Sequence, residues 1–416
     1  MRVGTLRRFA PNRYARPRED DRNVNRPRKL YLDANLQIVF WVTLMVVMGV
    51  SNITPAIPAM AKALSIADRE IGLIISVFTL PGVFLTPVFG FLADRYGRKR
   101  VLVPSLVLFG IAGTMCFWCE SFASLLALRF VQGIGAASLG AVNVTIISDL
   151  FSGRERTAAL GYNASVLSIG TASYPAIGGA LAMLGWNYPF LMTAAAIPVA
   201  LAVLFLLNNP EPHARPEIRA YFAAVFRVVR ARQVVGLFIA SLAAFIFIYG
   251  AILTYFPILM AQSFGATALA IGLFLTAMSV ANAITSSQLG RLARRWSERA
   301  FVIAGFSLYA VVCALIPFAA SYPLMLVPVV IGGMANGIVM PSLQALLAGA
   351  APPAQRAAFM SFNGMLLRAG QTGGPVLLAL FYHFGGMRFT FLATAACMLV
   401  MLGVIAWLVR DERAAE

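Results

Sequence analysis

The chain has 416 residues, of which 60% are hydrophobic and only 12% are charged, and its mean hydropathy is +0.80. Soluble proteins carry about 25% charged residues, so this composition excludes an ordinary soluble protein and indicates a membrane protein. A net charge of +17 would suit a nucleic-acid binder. The positive charges lie between long apolar segments, however, and we therefore expect no nucleic-acid partner.

Twelve apolar segments follow a basic N-terminal stretch, and each is long enough to cross a ~30 Å hydrocarbon core as a helix. They are predicted at 36–59, 70–93, 101–119, 122–148, 157–182, 187–207, 233–260, 268–290, 300–319, 322–349, 357–382 and 389–409. The predicted fold is an all-α integral membrane protein with twelve transmembrane helices. Residues 1–35 hold ten Lys and Arg and no apolar core, which predicts a disordered cytoplasmic tail that contacts anionic lipid headgroups rather than a signal peptide.

The distribution of positive charge predicts the orientation in the membrane. If the N-terminus is cytoplasmic and the segments alternate in direction, 28 of the 33 Lys and Arg residues lie on the cytoplasmic side, and three (Lys62, Arg69 and Arg388) lie on the other. Cytoplasmic loops of membrane proteins carry an excess of Lys and Arg. We therefore predict a multi-pass protein of the plasma (inner) membrane with both termini in the cytoplasm.

The chain contains an internal repeat with an offset of 200 residues. Pairs in this register are Gly90 and Gly290, Arg95 and Arg295, Gly133 and Gly333, and Pro175 and Pro375. One offset holds across six segments, which predicts two six-helix halves at 36–207 and 233–409, a cytoplasmic linker at 208–232 and a cytoplasmic C-terminus at 410–416. Repeated halves of this kind are typical of secondary transporters, in which two bundles rock about a central site.

A charged loop, GFLADRYGRKR at 90–100, lies between the second and third segments. It resembles the loop signature G-x-x-x-D-R-x-G-R-[KR] of the major facilitator superfamily, with matches at Gly90, Asp94, Arg95, Gly97 and Arg98. The resemblance implies the fold of that superfamily and a cytoplasmic gate that latches the two halves. Asp94 can accept charge-assisted hydrogen bonds from Arg98, and Asp149, at the end of the fourth segment, is placed to share the same arginine.

Two further stretches extend the resemblance. The fourth segment contains Arg129-Phe-Val-Gln132-Gly-Ile-Gly, which is similar to the R-x-x-Q-G-x-G signature of the same superfamily. The fifth contains a stretch that resembles the antiporter signature of the twelve-helix drug:proton branch, except that Tyr174 replaces a glycine. The resemblance implies exchange against protons and a hinge in the fifth helix, formed by Gly170, Pro175, Gly178 and Gly179.

Two cations, Arg129 and Arg368, lie inside predicted membrane segments. A charge in the bilayer is costly, so each is a functional hypothesis. The resemblance implies a coupling role for Arg129; the alternative is a buried arginine satisfied by carbonyls and Gln132. We expect Arg368 to line the central cavity. All sixteen acidic residues fall outside the apolar cores or at their edges. A proton antiporter usually has a buried carboxylate, so proton coupling stays open, and the two arginines favour an anionic or zwitterionic substrate.

The central path of this superfamily is lined by the first, fourth, seventh and tenth helices. The polar and aromatic cavity candidates in these segments are Asn52, Asn143, Tyr249, Tyr255, Asn336 and Gln344. A mostly apolar pocket with a few polar anchors suits an amphipathic small molecule.

These observations together predict a transporter and not an enzyme. We expect a monomer that exports small amphipathic molecules, drugs or metabolites, by alternating access in exchange for protons. Cys116 and Cys119 have CxxC spacing but lie in an apolar segment with no second ligand pair, so neither a metal nor a cofactor is predicted. The alternatives are a facilitator or importer of an organic anion and a membrane sensor that transports nothing.

Overall fold

A computed structural model describes residues 30–209, 232–350 and 356–409 of the protein. Its helices are α1 (Ala34–Ser51), α2 (Ile57–Ala63), α3 (Leu73–Tyr96), α4 (Arg98–Met115), α5 (Phe122–Leu150), α6 (Gly153–Ala182), α7 (Tyr188–Leu191), α8 (Ala196–Phe205), α9 (Arg232–Ile246), α10 (Phe256–Phe264), α11 (Ala268–Leu292), α12 (Glu298–Leu315), α13 (Leu326–Ala350) and α14 (Arg356–Leu408). A π-helical segment, Phe247–Tyr255, joins α9 to α10. Nearly all of the predicted tail, most of the linker and the C-terminus 410–416 lie outside the described residues.

Ten stretches within the described residues are long and apolar enough to cross a membrane. The prediction of an all-helical membrane protein is confirmed, whereas the count differs from the predicted twelve in two places. Helix α6 has 30 residues but is less apolar than the others and is not among the ten. The last two predicted segments form the single element α14, whose backbone leaves the helical conformation at Gly385 and Gly386.

Helix ends follow from local sequence. The Asp33 side chain accepts hydrogen bonds from the backbone N–H groups of Asn35 and Leu36 at 3.0 and 3.3 Å, which satisfies donors that have no partner inside α1. Gly97 separates α3 from α4 with φ of +106°, a backbone conformation that favours glycine. The charged loop is therefore a tight turn that brings the end of α3 directly against the start of α4.

Small residues let helices pack closely inside each half. A Cβ atom at Gly133 in α5 would clash with the carbonyl oxygen of Phe78 in α3, and a Cβ atom at Gly333 in α13 would clash with that of Met278 in α11. These two contacts are related by the 200-residue offset of the sequence repeat. Close approach at small residues is the usual way in which membrane helices associate, so both halves use the same packing rule.

The two halves meet along two seams, which we call the first seam (α3 against α14) and the second seam (α6 against α11). In the first seam, the Ser76 hydroxyl donates to the carbonyl oxygen of Thr372 at 2.7 Å. In the second, the Thr276 hydroxyl donates to the carbonyl oxygen of Ala172, also at 2.7 Å. Thr276 is 200 positions after Ser76, and Thr372 is 200 positions after Ala172. The seams are therefore repeats of one another.

The seams are closed at one end only. We call the end that carries residues 90–100 the loop end and the opposite end the far end. Within the described residues, the hydrogen bonds that cross between the halves lie toward the far end. Toward the loop end, none of the described residues would lie within 4 Å of a Cβ atom added at Gly90 or Gly290. The halves are therefore separated at the loop end.

Candidate functional site

A cluster of three charged residues joins three helix ends at the loop end. Arg98, whose side chain is only 7% exposed, lies 2.6 Å from Asp94 Oδ1 through Nη1 and 2.9 Å from Asp149 Oδ2 through Nε. Nη1 also donates to the carbonyl oxygen of Ala93 at 2.8 Å. The structure thus brings together Asp94, Arg98 and Asp149, all from the first half. In this conformation the cluster ties α3, α4 and α5 to one another.

The remaining residues of the predicted cytoplasmic gate have fewer contacts. Arg95 is exposed, and its guanidinium lies 5.5 Å from the centre of the Tyr96 ring. No described residue lies within 4 Å of a Cβ added at Gly90, so this residue of the predicted gate makes no close helix contact in this conformation. The physical reason is the separation of the halves at the loop end.

Arg129 is fully buried inside the first half. Its Nε donates to the carbonyl oxygen of Ile74 at 3.2 Å, its Nη1 donates to Gln132 Oε1 at 2.7 Å, and the guanidinium lies 4.0 Å from the centre of the Phe78 ring. Among the described residues, Nη2 of Arg129 and Nε2 of Gln132 have no hydrogen-bond partner. The carbonyl and the Gln132 bond are those of a structurally buried arginine, but the unpaired Nη2 leaves the coupling role of Arg129 open as well.

Arg368 lies in the first seam, in the part of α14 before the break at Gly385, and is partly exposed. Its Nη1 donates to Gln371 Oε1 at 3.0 Å, and Tyr249 lies close to both side chains. Across the seam, a Cβ atom at Gly82 would be 3.1 Å from Arg368 Cδ. Arg368 is therefore a cation between the halves, where the first seam ends and the separation begins.

The six predicted cavity candidates divide into two groups. Asn52, Asn143 and Tyr255 are buried. The side-chain amide of Asn52 donates to the carbonyl oxygen of Pro189 at 2.8 Å, and that of Asn143 donates to the carbonyl oxygen of Val39 at 3.2 Å. The centres of the Tyr255 and Tyr382 rings are 5.7 Å apart. This differs from the prediction of a cavity role, because these side chains are enclosed by helix packing.

Tyr249, Asn336 and Gln344, in contrast, are partly exposed. The Asn336 side chain accepts a hydrogen bond from the Tyr309 hydroxyl at 3.2 Å. These three residues therefore remain cavity candidates in this conformation.

The predicted hinge in the fifth apolar segment is part of a continuous helix in this conformation, since α6 extends from Gly153 to Ala182. Its small residues instead permit close contacts. A Cβ atom at Gly178 would clash with the backbone of Asn52, and one at Gly179 would lie 2.5 Å from the carbonyl oxygen of Ala268. Pro175 contributes its carbonyl oxygen to the contact with Gly272 in the second seam, and Gly170 faces Leu44.

Asp68 is a candidate gate residue at the far end that the sequence analysis does not identify. It precedes α3 in the first half, and its Oδ2 accepts hydrogen bonds from the Tyr382 hydroxyl at 2.7 Å and from Gln262 Nε2 at 2.9 Å, both in the second half. The repeat gives no signal for this contact, because the residue 200 positions later is Ala268. The sequence does offer one signal for Asp68: it is a carboxylate on the predicted non-cytoplasmic side, where few charged residues lie.

Comparison with known proteins identifies the family. The profile described as Major Facilitator Superfamily matches residues 39–260 and 247–416. The bacillibactin exporter of Bacillus subtilis (strain 168) is 26% identical over 391 residues, which cover 90% of this chain and 96% of the exporter. The class B tetracycline resistance protein of Escherichia coli is 25% identical over 372 residues, covering 85% of this chain and 89% of that protein.

Solved structures share the fold. A bacterial homologue of the human lysosomal transporter Spinster, in an inward-facing and occupied conformation, superposes with a TM-score of 0.76 at 16% identity and covers 89% of this chain and 95% of its own. The human organic anion transporter MFSD10 (TETRAN) gives a TM-score of 0.67 at 20% identity, covering 89% and 99%. The resemblance seen in the charged loop is thus confirmed, and the chain belongs to the Major Facilitator Superfamily.

Proposed function

We propose that the protein is a secondary active transporter that exports small amphipathic molecules by alternating access, in exchange for protons. The observation that carries this proposal is the pair of repeat-related seams, closed at the far end and parted at the loop end. Two bundles that rock about a central site need such a pair of matched contacts. With the loop end in the cytoplasm, as the positive charges predict, this conformation is open to the inside.

The proposal includes twelve spans with both termini in the cytoplasm. Ten helical stretches are apolar enough to count as spans, and α14 is counted among them once. Division of α14 at Gly385 and Gly386 adds one span, and α6, at 30 residues, adds another, since about 20 residues suffice to cross the hydrocarbon core. An even number of spans puts both ends of the chain on one side.

The kind of substrate is inferred from the relatives and from the composition of the parted region. Two relatives that match along most of the chain are named for exporting bacillibactin and for tetracycline resistance, and both names denote small organic molecules. Arg368 and Tyr249 are partly exposed polar anchors near the first seam, among helices that are otherwise strongly apolar. An amphipathic molecule suits such a lining.

Transport and proton exchange are tested in one experiment. Purified protein is reconstituted in liposomes that contain a pH-sensitive dye, a proton gradient is imposed, and amphipathic cations and organic anions are added one at a time. We expect proton movement that depends on substrate. Substrate movement without proton movement would show a facilitator, and absence of any flux would favour the sensor.

The orientation has its own test with single cysteines. Cys116, Cys119, Cys313 and Cys397 are first replaced, and Ser263→Cys at the far end is compared with Ser152→Cys at the loop end, since both serines are exposed. A membrane-impermeant maleimide added to intact cells should label only Ser263→Cys. The opposite pattern would contradict the predicted topology.

The loop cluster is proposed to act as a latch in the state that is closed at the loop end. Asp94→Asn removes one of the two charges that hold Arg98, so we expect transport to fall at least about tenfold, since charge-assisted hydrogen bonds contribute about 1.5–3 kcal/mol. Glu120→Gln, an acidic residue at the opposite side of the first half, is the control. Unchanged transport by Asp94→Asn would contradict the latch.

A further inference from the structure

We propose that Arg368, together with Gln371 and Tyr249, binds the anionic group of the transported molecule, so that the substrates are amphipathic organic anions. This inference rests on the proposed transport function and adds the charge of the substrate to it. It assigns to one side chain a role that neither the family nor the repeat supplies.

Arg368 has no carboxylate partner among the described residues. Position 368 lies twelve residues after Arg356, where α14 begins, which is about 18 Å along a helix and therefore deep in the span. A guanidinium there is costly and needs a partner. Its Nη1 bonds to Gln371, yet within residues 30–209, 232–350 and 356–409 no carboxylate lies in ion-pair distance. An anionic ligand supplies the charge that the protein does not.

The two membrane arginines differ in how accessible their side chains are. Arg129 is also a membrane cation without a carboxylate, but it is fully buried, with the Phe78 ring against its guanidinium and a backbone carbonyl on its Nε. Arg368 is partly exposed and lies where the halves begin to separate. Of the two membrane arginines, only Arg368 is placed to meet a ligand that enters from the loop end.

Arg368 also lies between the two halves. Its Cδ lies 3.1 Å from the place of a Cβ at Gly82 on α3, so glycine at position 82 makes room for the arginine stem. The equivalent positions of the second seam hold Ser168 and Asn282, which carry no charge. An anion bound to Arg368 contacts a helix of the second half beside a helix of the first, and such a ligand can favour one arrangement of the halves over the other.

The surroundings of Arg368 also suit an apolar or aromatic substrate body. The rings of Phe245 and Tyr249 stack with centroids 5.8 Å apart and an interplanar angle of 14°, and Tyr249 lies beside Arg368 and Gln371. Aromatic faces next to a cation and an amide give a mostly apolar site with a few convergent polar groups. A planar anion such as an aryl sulfonate or aryl carboxylate meets both requirements.

The test uses three probes with the same aromatic body and different charge: 2-naphthalenesulfonate, 2-naphthylmethanol and (2-naphthylmethyl)trimethylammonium. Binding to the full-length purified protein is measured by titration calorimetry, and uptake is measured separately in proteoliposomes. We expect the wild-type protein to bind the sulfonate at least about tenfold more tightly than the other two probes, since a hydrogen bond to a charged group contributes about 1.5–3 kcal/mol.

Variants then assign the preference to the arginine. Arg368→Gln should weaken sulfonate binding by about tenfold to a hundredfold and leave binding of the alcohol unchanged, whereas Arg368→Lys should retain most of the preference. The control is Arg291→Gln, which removes the same charge from an exposed arginine that also bonds to a glutamine, Gln288, at 3.0 Å.

The outcomes separate this inference from the proposed function. Equal wild-type affinity for the three probes, or unchanged sulfonate affinity in Arg368→Gln, would overturn the anion site. If Arg368→Gln does not fold, the charge series on the wild-type protein decides alone. Transport of the cation without any preference for the sulfonate would leave the transporter standing and remove the anion site. Tight sulfonate binding with no flux of any probe would support the site and contradict transport.

Discussion

The two seams between the halves share one set of backbone contacts. In the first seam, Gly72 packs against Pro375; in the second, Gly272 packs against the carbonyl oxygen of Pro175. All four positions are related by the 200-residue repeat, as are the hydroxyl-to-carbonyl hydrogen bonds one helical turn further along. Because duplicated sequence produces duplicated contacts, neither seam is distinguished by its close-packed backbone.

The polar chemistry of the two seams is different. Near the first seam, Asp68 binds Tyr382 across the halves, and Arg368 lies against Gly82. The residues at the equivalent positions of the second seam are Ala268 and Ala182, and Ser168 and Asn282. The two seams thus share a symmetric scaffold, whereas Asp68 and Arg368 lie at the first seam only; in the proposed alternating-access cycle, the scaffold would serve opening and closing and these charged groups would respond to a ligand or a proton.

The largest effect is expected from filling the glycines of the seams. Gly272→Val places side-chain atoms where Pro175 contributes its carbonyl oxygen, and overpacking of this kind costs about 1–3 kcal/mol or more, so transport should fall by about fivefold to a hundredfold or more. Gly72→Val should have a similar effect, because it acts on the equivalent contact. Transport in proteoliposomes is the measurement.

The control for the glycine variants is Gly403→Val, since an added Cβ at Gly403 meets nothing within 4 Å. Spin labels at Lys62→Cys and Ser263→Cys, one exposed residue from each half at the far end, report the distance between the halves in a background without native cysteines. Both seam variants should lengthen this distance. A variant that blocks transport in one seam only would show that the seams are not mechanically equivalent.

A smaller effect is expected at Asp68, whose equivalent position in the second half, Ala268, carries no carboxylate. Asp68→Ala removes the acceptor of two hydrogen bonds across the halves. These groups are partly exposed, so we expect about 1–2 kcal/mol, which is about a fivefold to thirtyfold shift toward the state open at the far end. The spin-label distance measures the shift. Glu70→Ala, which loses a 3.7 Å pair with Arg69, should change little, and an equal shift in both variants would argue against a specific Asp68 gate.

The sequence predicts the architecture better than it predicts which side chains are accessible. Hydropathy, the repeat and the charged loop are enough to predict a helical membrane protein of this superfamily, because each depends on residue type and spacing alone. The rotation of each helix about its axis does not follow from an almost uniformly apolar segment. That rotation encloses Asn52, Asn143 and Tyr255 and leaves Tyr249 partly exposed, so cavity residues chosen by type alone are divided between packing and site.

Contacts between the halves are the other feature that the sequence does not supply. Asp68 and Tyr382 are 314 positions apart, and no periodicity connects them. The separation of the halves at the loop end is likewise a property of one conformation, in which no described residue lies within 4 Å of a Cβ added at Gly90, although the loop signature implies a gate that latches the halves there.

The smallest effect, and the finest test of the symmetry, is expected from the two hydroxyls that bridge the seams. Ser76→Ala and Thr276→Val each remove one hydrogen bond of 2.7 Å to a backbone carbonyl, which should cost about 1 kcal/mol. This corresponds to about a fivefold change in the population of the state open at the far end, which the spin-label distance measures. Equal shifts are expected if the duplicated contacts carry equal free energy. Their effects should also add in the double variant, because the two sites share no partner. A clearly larger shift for Ser76→Ala would mean that the charge asymmetry of the first seam extends into its scaffold, because each seam has one further hydroxyl contact nearby, Thr79 with Thr372 at 2.9 Å and Ser279 with Thr171 at 3.0 Å.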